Sequence, residues 1–436
     1  MAKFIIEGGR KLKGVLPVSS AKNSAVSLLC AALMVKGEVT LRDVPRIEEV
    51  DRILEILESL GVGIAWRGEH TLVLDTRGDL EMVRINKHAC EVTRSSMLLL
   101  GALAKREKKY RLYKSGGCKL GERTVRPHLY ALEKLGVTAR SRDKYYEVVT
   151  NNLQGTEIIM YESGDTPTEN AIMAAVLAEG ETVIKFASAN YMVQDLCFFL
   201  NRAGAKIEGI GSTTLRIRGV AQLKNKIEYA VMPDPIVAMA YISIAITTAS
   251  PLTIAGCPME FLELELEKLR VMGQKFSLKN ERQSNSGKFR LADVVIEPSP
   301  LSALPDKIYG RPFPGLNIDN LPFFVPIFTR ARGRSLVHDW VYENRAIYYL
   351  ELQKLGAKIT LLDPHRVFVE GPTKFRANEL ICPPAIRPAM IVLIAMLAAP
   401  GRSVLRNPYP IERGYEKVTE VLSAVGAKIE KVADIN

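Results

Sequence analysis

Six times along this chain a leucine-rich amphipathic segment ends in the same short phrase. The copies read LEILESLGV, LYALEKLGV, FFLNRAGAK, ELEKLRVMGQK, LELQKLGAK and VLSAVGAK. Their glycines, Gly61, Gly136, Gly204, Gly273, Gly356 and Gly426, stand 75, 68, 69, 83 and 70 residues apart. A recurring interval of this kind marks one supersecondary unit used repeatedly. Leucines at i, i+3, i+4 and i+7 give each segment one apolar helical face. The glycine suits a left-handed position just past the helix, and the Ala/Val-Lys-Ile type of sequence that follows opens a strand. The longest interval holds the polar stretch 280–288 (NERQSNSGK), which reads as an exposed hairpin insertion. Strand-like segments (YYEVVT, ETVIKF, TTLRIRGV, DVVIEP, KITLL, RVFVEG) alternate with the helices. The expected class is therefore α/β, in two pseudo-equivalent halves of three units, with a break where a strand gives way to Met-Pro-Asp-Pro near 229–234. The opening strand KFIIEGG could pair with either half.

Length and composition agree with two globular domains: 436 residues, 47% hydrophobic and 25% charged. The first fourteen residues carry charge without the apolar stretch of a secretory signal, so no targeting peptide is expected. The longest apolar runs, at 238–247 and 390–399, are too short to cross a bilayer and read as buried helices. The six cysteines (Cys30, Cys90, Cys118, Cys197, Cys257, Cys382) show no CxxC spacing, which points to reduced thiols and a cytoplasmic location. The five histidines (His70, His88, His128, His338, His365) are scattered, so no metal site is expected. The net charge of +11 has three readings. One is a solvated basic surface. A second is nucleic-acid binding, against which stands the lack of a basic stripe interleaved with aromatics. The third is a site that gathers Lys and Arg around a small polyanion.

Several segments bear on that choice. In SGGCKLGERTVR, Gly116, Gly117 and Gly121 surround Cys118, Lys119 and Arg123. This is either a mobile surface loop or a flexible lid whose thiol, beside cations, exchanges protons. SSAKNSAVSLLCAALM places Lys22 and Asn23 just before an apolar helix, a combination suited to phosphate. Arg345 opens the fifth repeated helix, Arg387 an almost wholly apolar one, and Arg413 stands just before the sixth. One such arginine is commonly a solvated cap. Three of them suit two-point recognition of phosphate or carboxylate. Asp319, between apolar residues in FPGLNIDNLPFF, is either a turn aspartate or a partly buried general base.

Together these residues resemble the enolpyruvyl transferase family, most specifically in AKNSAVSLLCAAL, GGCKLGER, VYENR and IERGYEKVTEVLSAVGAKIE. The resemblance spans nearly the whole chain. It lies nearer the branch that uses UDP-N-acetylglucosamine in peptidoglycan precursor synthesis than the shikimate-3-phosphate branch. It implies two inside-out α/β barrels, each of three βαβαββ repeats, as domains 22–232 and 1–21 plus 233–436. It also implies that the opening strand belongs to the second domain and that substrates bind between the two. The implied roles are phosphate binding for Lys22, Arg123 and Arg413, and binding of the phosphoenolpyruvate carboxylate for Arg345 and Arg387. Arg94 is a further cation of the site. Cys118 resembles the lid cysteine linked to proton transfer, phosphate release and alkylation by fosfomycin. Asp319 resembles the base for the acceptor hydroxyl, Asn23 a contact to the acceptor sugar, and Glu343 the family's glutamate on the acceptor side. The reaction is addition of the acceptor hydroxyl to C2 of phosphoenolpyruvate followed by loss of phosphate. No metal or organic cofactor, nucleic acid, membrane or obligate protein partner is implied; the partners are phosphoenolpyruvate and a nucleotide sugar.

Departures from the family pattern gather on the acceptor side. The family's GxRPVDxH is GERTVRPH here, which puts Arg126 where the aspartate near uracil is expected and moves the proline to Pro127. Gly164, Asp165 and Thr166 replace the Ser-Val-Gly beside the diphosphate, placing a carboxylate where an anion binds. Pro235 replaces an arginine, Ala385 an aspartate, and SANYMVQDL at 188–196 lacks the usual acidic pattern. These differences raise two further readings: enolpyruvyl transfer to another hydroxyl acceptor in a specialised pathway, and a non-catalytic paralogue with a binding role.

Overall fold

A computed structural model of the chain describes residues 2–116 and 124–434. They form two compact units, one of residues 2–19 and 233–434, the other of residues 20–116 and 124–232.

Each copy of the repeated phrase builds the same part of a sheet. The strands after the six glycines are Gly63–Arg67, Val137–Ser141, Lys206–Glu208, Phe276–Gln283, Lys358–Asp363 and Lys428–Ala433. Every one lies at the edge of its sheet. Each pairs antiparallel with a return strand, which in the first five copies follows directly in sequence. In the sixth copy the return strand is Ala2–Gly8, whose Ile5 faces Glu430 on one side and Val404 on the other. Return strands in turn pair antiparallel with the strand preceding the helix of their copy. In five sheets a fourth strand joins in parallel, as Lys226–Ala230 joins Glu38–Arg42. Gly14–Pro17 is one of these parallel strands, beside Leu252–Pro258. The opening segment therefore pairs with the second half of the sequence.

Strands such as Thr214–Arg218 alternate exposed and buried residues, so one sheet face meets solvent and the other meets helices. The helices are the interior. Pro235–Thr247 is buried at every position and packs on Ile386–Ala398, which is buried from Arg387 to Leu397. In the other unit Lys22–Ala32 packs on Tyr191–Arg202, and Arg126–Lys134 on Asp165–Val176. Asp234 starts the helix Pro235–Thr247, its Oδ1 accepting from the backbone N–H groups of Ile236 (2.7 Å) and Val237 (3.4 Å). Among the described residues no helix is long and apolar enough to cross a membrane.

All six repeat glycines have positive φ, from 88° to 104°, as the helix-stop reading requires. The stretch 280–288 lies in and beyond the first strand of the hairpin formed by Phe276–Gln283 and Arg290–Ile296. Two details differ from expectation. The fifth repeated helix, Ala346–Leu355, is a 3₁₀ helix throughout. Lys22 and Asn23 do not precede the first helix but form its first turn, because Ala21 takes the extended cap position.

The fold keeps some polar groups dry. Asp195 is fully buried; Tyr229 donates to its Oδ1 (2.6 Å) and the Met232 N–H to its Oδ2 (3.3 Å). Burial pushes its carboxyl up to about 7, with those donors pulling the other way. The native state thus keeps a proton that the unfolded chain releases near the ordinary carboxylate range. This group's contribution is present at low pH and is lost as pH rises toward 7. Asp195→Asn, which mimics the protonated form, is expected to gain stability relative to wild type between pH 5 and 7, on the order of 1 kcal/mol per pH unit. Urea unfolding of both proteins across that range checks the sign.

A second prediction separates two glycine roles. A Cβ at Gly426 would meet nothing within 4 Å, so Gly426→Ala should cost only the left-handed backbone penalty, about 1–2 kcal/mol. A Cβ at Gly219 would lie 1.6 Å from the Ala178 carbonyl oxygen. Gly219→Ala should therefore cost more than Gly426→Ala, as denaturant midpoints at matched slope would show.

Candidate functional site

In the unit containing residues 233–434, three residues singled out from sequence come together. Asp319 lies in the loop before a short helical segment starting at Leu321. Its backbone N–H donates to Asn317 Oδ1 (2.9 Å), an Asx-type turn. The buried Glu265 holds that turn on both sides, Oε1 accepting from the Asn317 N–H (3.2 Å) and from Asn320 Nδ2 (2.9 Å). Burial pushes the Glu265 carboxyl up to about 7, with hydrogen bonds opposing. The Asp319 carboxylate is thereby aimed at two arginines. Arg345 Nη1 lies 3.3 Å from its Oδ1 and Arg387 Nη2 lies 3.7 Å from its Oδ2.

Arg345 is 1% exposed, an unusual place for a guanidinium. Its Nε donates to Asp339 Oδ2 (2.6 Å), and its Nη2 donates to Asp339 Oδ1 (2.8 Å) and to the Ile318 carbonyl (2.6 Å). The Tyr349 hydroxyl also donates to Asp339 Oδ2. The Tyr342 ring covers one guanidinium face, its centroid 4.2 Å from Cζ. Burial works against the charge, yet the Asp339 carboxylate holds the arginine protonated above its ordinary range. Arg387 is mostly buried in the first turn of Ile386–Ala398, whose cap residue Ala385 lends no side-chain hydrogen bond. Tyr415 lies against Arg387; burial raises its hydroxyl's pKa and the arginine opposes that. Arg413, half-buried, ends the short helix Tyr409–Glu412, and Glu343 is exposed on the segment leading to Arg345.

The other unit carries the remaining candidates. Lys22 and Asn23 occupy the first turn of Lys22–Ala32, where Ala21 leaves the backbone N–H groups without a side-chain cap. Asn23 Nδ2 donates to the Tyr191 hydroxyl (3.0 Å). Arg94 opens the 3₁₀ segment Arg94–Leu98, and its Nη2 approaches the Thr124 carbonyl at 3.4 Å. Arg126 is exposed at the start of Arg126–Lys134, its N–H bonded to Thr124 Oγ1 (3.1 Å). Close by, buried His128 accepts at Nδ1 from Asn170 Nδ2 (2.8 Å) if its proton sits on Nε2. Burial first, then Arg94, lowers its pKa to about 3, so the ring is neutral. Asp165 begins Asp165–Val176, accepting from the Ser188 hydroxyl (2.5 Å) and Asn190 Nδ2 (3.1 Å). Two of the departures from the family pattern, Asp165 and the SANY segment, are thus bonded to each other. Cys118, Lys119 and Arg123 lie outside the described residues.

Sequence reasoning missed Asp339, Tyr349, Glu265 and Tyr191. Tyr349 stands four residues after Arg345, a spacing that flags a shared helical face. Nothing local marks Asp339, whose side-chain partners stand 6 and 10 residues on without a helical spacing, or Glu265, whose partners are 52 and 55 residues away.

The family described as EPSP synthase (3-phosphoshikimate 1-carboxyvinyltransferase) matches residues 6–422. A UDP-N-acetylglucosamine 1-carboxyvinyltransferase of Borreliella burgdorferi is 36% identical over 432 residues, covering 99% of both chains. One from Bacteroides thetaiotaomicron is 34% identical over 447 residues, covering 99% of this chain and all of the relative. Among solved structures, the enolpyruvyl transferase NikO from Streptomyces tendae superposes with a TM-score of 0.85 at 24% identity over 99% of each chain. An EPSP synthase from Acinetobacter baumannii superposes with a TM-score of 0.78 at 18% identity, over 99% of this chain and 100% of its own. The structures speak for the fold and the full-length relatives for the family: this chain belongs to the EPSP synthase family of enolpyruvyl transferases.

Proposed function

We propose that the protein transfers the enolpyruvyl group of phosphoenolpyruvate to a hydroxyl of UDP-N-acetylglucosamine with release of phosphate, a step of peptidoglycan precursor synthesis. The observation that carries this reading is the Asp319 carboxylate set between Arg345 and Arg387. A carboxylate already flanked by two guanidinium groups marks a place where a ligand carboxylate is matched. The full-length relatives that bear this activity's name support the choice of acceptor.

In this reading the acceptor hydroxyl attacks C2 of phosphoenolpyruvate while C3 gains a proton, giving a tetrahedral ketal. Loss of a C3 proton and of phosphate then forms the enolpyruvyl ether. Arg387 and the Nη1 side of Arg345 take the substrate carboxylate, which lets Asp319 turn to the acceptor hydroxyl as its base. Lys22, Arg123 and Arg413 bind the phosphate, with Arg94 a further cation; fixed charges of this kind stabilise an anion that changes shape during reaction. Cys118 carries the proton to and from C3. Asn23 and Glu343 serve the acceptor, with Arg126 and Asp165 beside it. The five described cysteines are buried and unpaired, in keeping with a reducing compartment, and we place the reaction in the cytoplasm.

One observation favours a second reading, transfer to a hydroxyl acceptor that lacks a diphosphate. Asp165 puts a carboxylate at a helix N-terminus, the position that would otherwise suit a phosphate, and Ser188 and Asn190 hold it there.

Phosphate release distinguishes the two. Phosphoenolpyruvate with UDP-N-acetylglucosamine should release one phosphate per enolpyruvyl ether formed. Release only with an acceptor lacking the diphosphate would replace the first reading by the second. Asp319→Asn should lower kcat by about 10²- to 10⁴-fold, the range for loss of a general base. Cys118 gives an independent check: Cys118→Asp, a proton carrier that cannot be alkylated, should turn over in fosfomycin concentrations that silence the wild type. An inactive, well-folded Cys118→Asp protein would remove Cys118 from proton transfer.

A further inference from the structure

A guanidinium has five N–H bonds, and those of Arg345 are unevenly committed. The Nε–H and one Nη2–H meet the two oxygens of Asp339, and the second Nη2–H meets the Ile318 carbonyl. One whole fork is therefore closed by the protein. The other nitrogen, Nη1, is directed at Asp319. Arg345 thus offers an anionic ligand one nitrogen, where its position in the sequence led us to expect a two-point grip.

What imposes this orientation is itself buried and hydrogen-bonded. Asp339 follows the strand Gly333–His338, and its N–H donates to the His365 carbonyl (2.7 Å). His365 Nδ1 lies 3.2 Å from the Asp339 carbonyl. Asp339 and Tyr349 are as buried as the arginine they hold, and Tyr349 donates to the same oxygen that receives the arginine Nε–H. We infer that Asp339, supported by Tyr349, is a positioning residue of the transfer reaction: it fixes the buried Arg345 so that only the Nη1 side faces Asp319 and the substrate carboxylate. Asp339 touches no reacting atom in this arrangement and acts through the arginine. A neutral or shorter residue there would leave the guanidinium charged but able to turn its closed fork outward.

The inference rests on the reading of Asp319 and Arg345 as part of the reacting centre, so its test has a readout independent of turnover. In full-length protein labelled with ¹⁵N-arginine, the Arg345 Nε–H, identified by its loss in Arg345→Lys, should give a downfield, slowly exchanging signal. Asp339→Asn should shift that signal upfield and speed its exchange at least ten-fold. Tyr349→Phe, a milder change, should retain the signal with exchange accelerated several-fold. In parallel, Asp339→Asn should lower kcat for phosphate release about 10- to 100-fold. Combined with Arg345→Lys it should do no further harm, because both changes act on one group. Additive losses in the double variant would mean that Asp339 serves the fold alone and would overturn the inference. An unchanged Arg345 signal in folded Asp339→Asn would overturn it whatever the activity. If Asp339→Asn does not fold, Tyr349→Phe decides by the same signal, unchanged exchange counting against. Wild-type protein that releases no phosphate but shows the expected signal changes would overturn the assigned reaction and leave the held geometry of Arg345 established.

Discussion

A strand with no neighbour on one side leaves a row of backbone donors and acceptors to be satisfied, and in this protein that requirement recurs six times in the same place. Each glycine-stopped helix delivers a strand to a sheet edge, and each such strand needs a return strand on its inner side. Five copies make the return strand from the residues that follow. The sixth copy is followed by no further strand among the described residues, and Ala2–Gly8 fills the position. This pairing explains why the opening residues belong with the second half of the sequence, and why, among the described residues, the chain passes between the two units near residues 19 and 232. The sheets around Pro235–Thr247 and Ile386–Ala398 therefore depend on residues that lie on both sides of the other unit in sequence.

The same economy of partners governs the candidate site. A buried charge is tolerated only when paired and hydrogen-bonded, and Arg345 satisfies this through Asp339, Ile318 and Asp319. Glu265 does for the loop at 317–320 what Asp339 does for the arginine: it holds backbone and amide groups on either side of Asp319. In the other unit Asn170 plays this part, accepting from the Gly101 N–H (2.7 Å) and donating to Met97 and His128. Catalytic geometry in such a site comes from buried polar groups supporting less buried ones.

Much of this was legible in the residues, and the reasons are local. The glycines, the leucine spacing and the strands after them follow short-range rules, and all six glycines adopt the left-handed conformation those rules require. Asp319, Arg345 and Arg387 were singled out by residue type and by family resemblance, and the structure joins the three. What was illegible follows no short-range rule. The pairing of Ala2–Gly8 with Lys428–Ala433 spans the whole chain, and the union of Asp165 with Ser188 and Asn190 crosses a helix and a strand. The number of donors left on Arg345 could not be read from its position, because Asp339 lies six residues upstream with no periodic relation to it. The 3₁₀ geometry of Ala346–Leu355 was equally hidden, since its leucine spacing suits either helix.

The borrowed return strand also has a meaning for the order in which a ribosome makes this protein. The unit of residues 20–116 and 124–232 is made before residues 233–434. The other unit must wait. Its first pieces, Ala2–Gly8 and Gly14–Pro17, are made before that unit, yet the partner of Ala2–Gly8 at 428–433 is made only after everything between them. Throughout elongation a hydrophobic strand, with Phe4 and Ile6 destined for full burial, stays without its final neighbours. Residues 2–19 are thus the part of this fold that waits longest for its partners, open meanwhile to pairing with other strands.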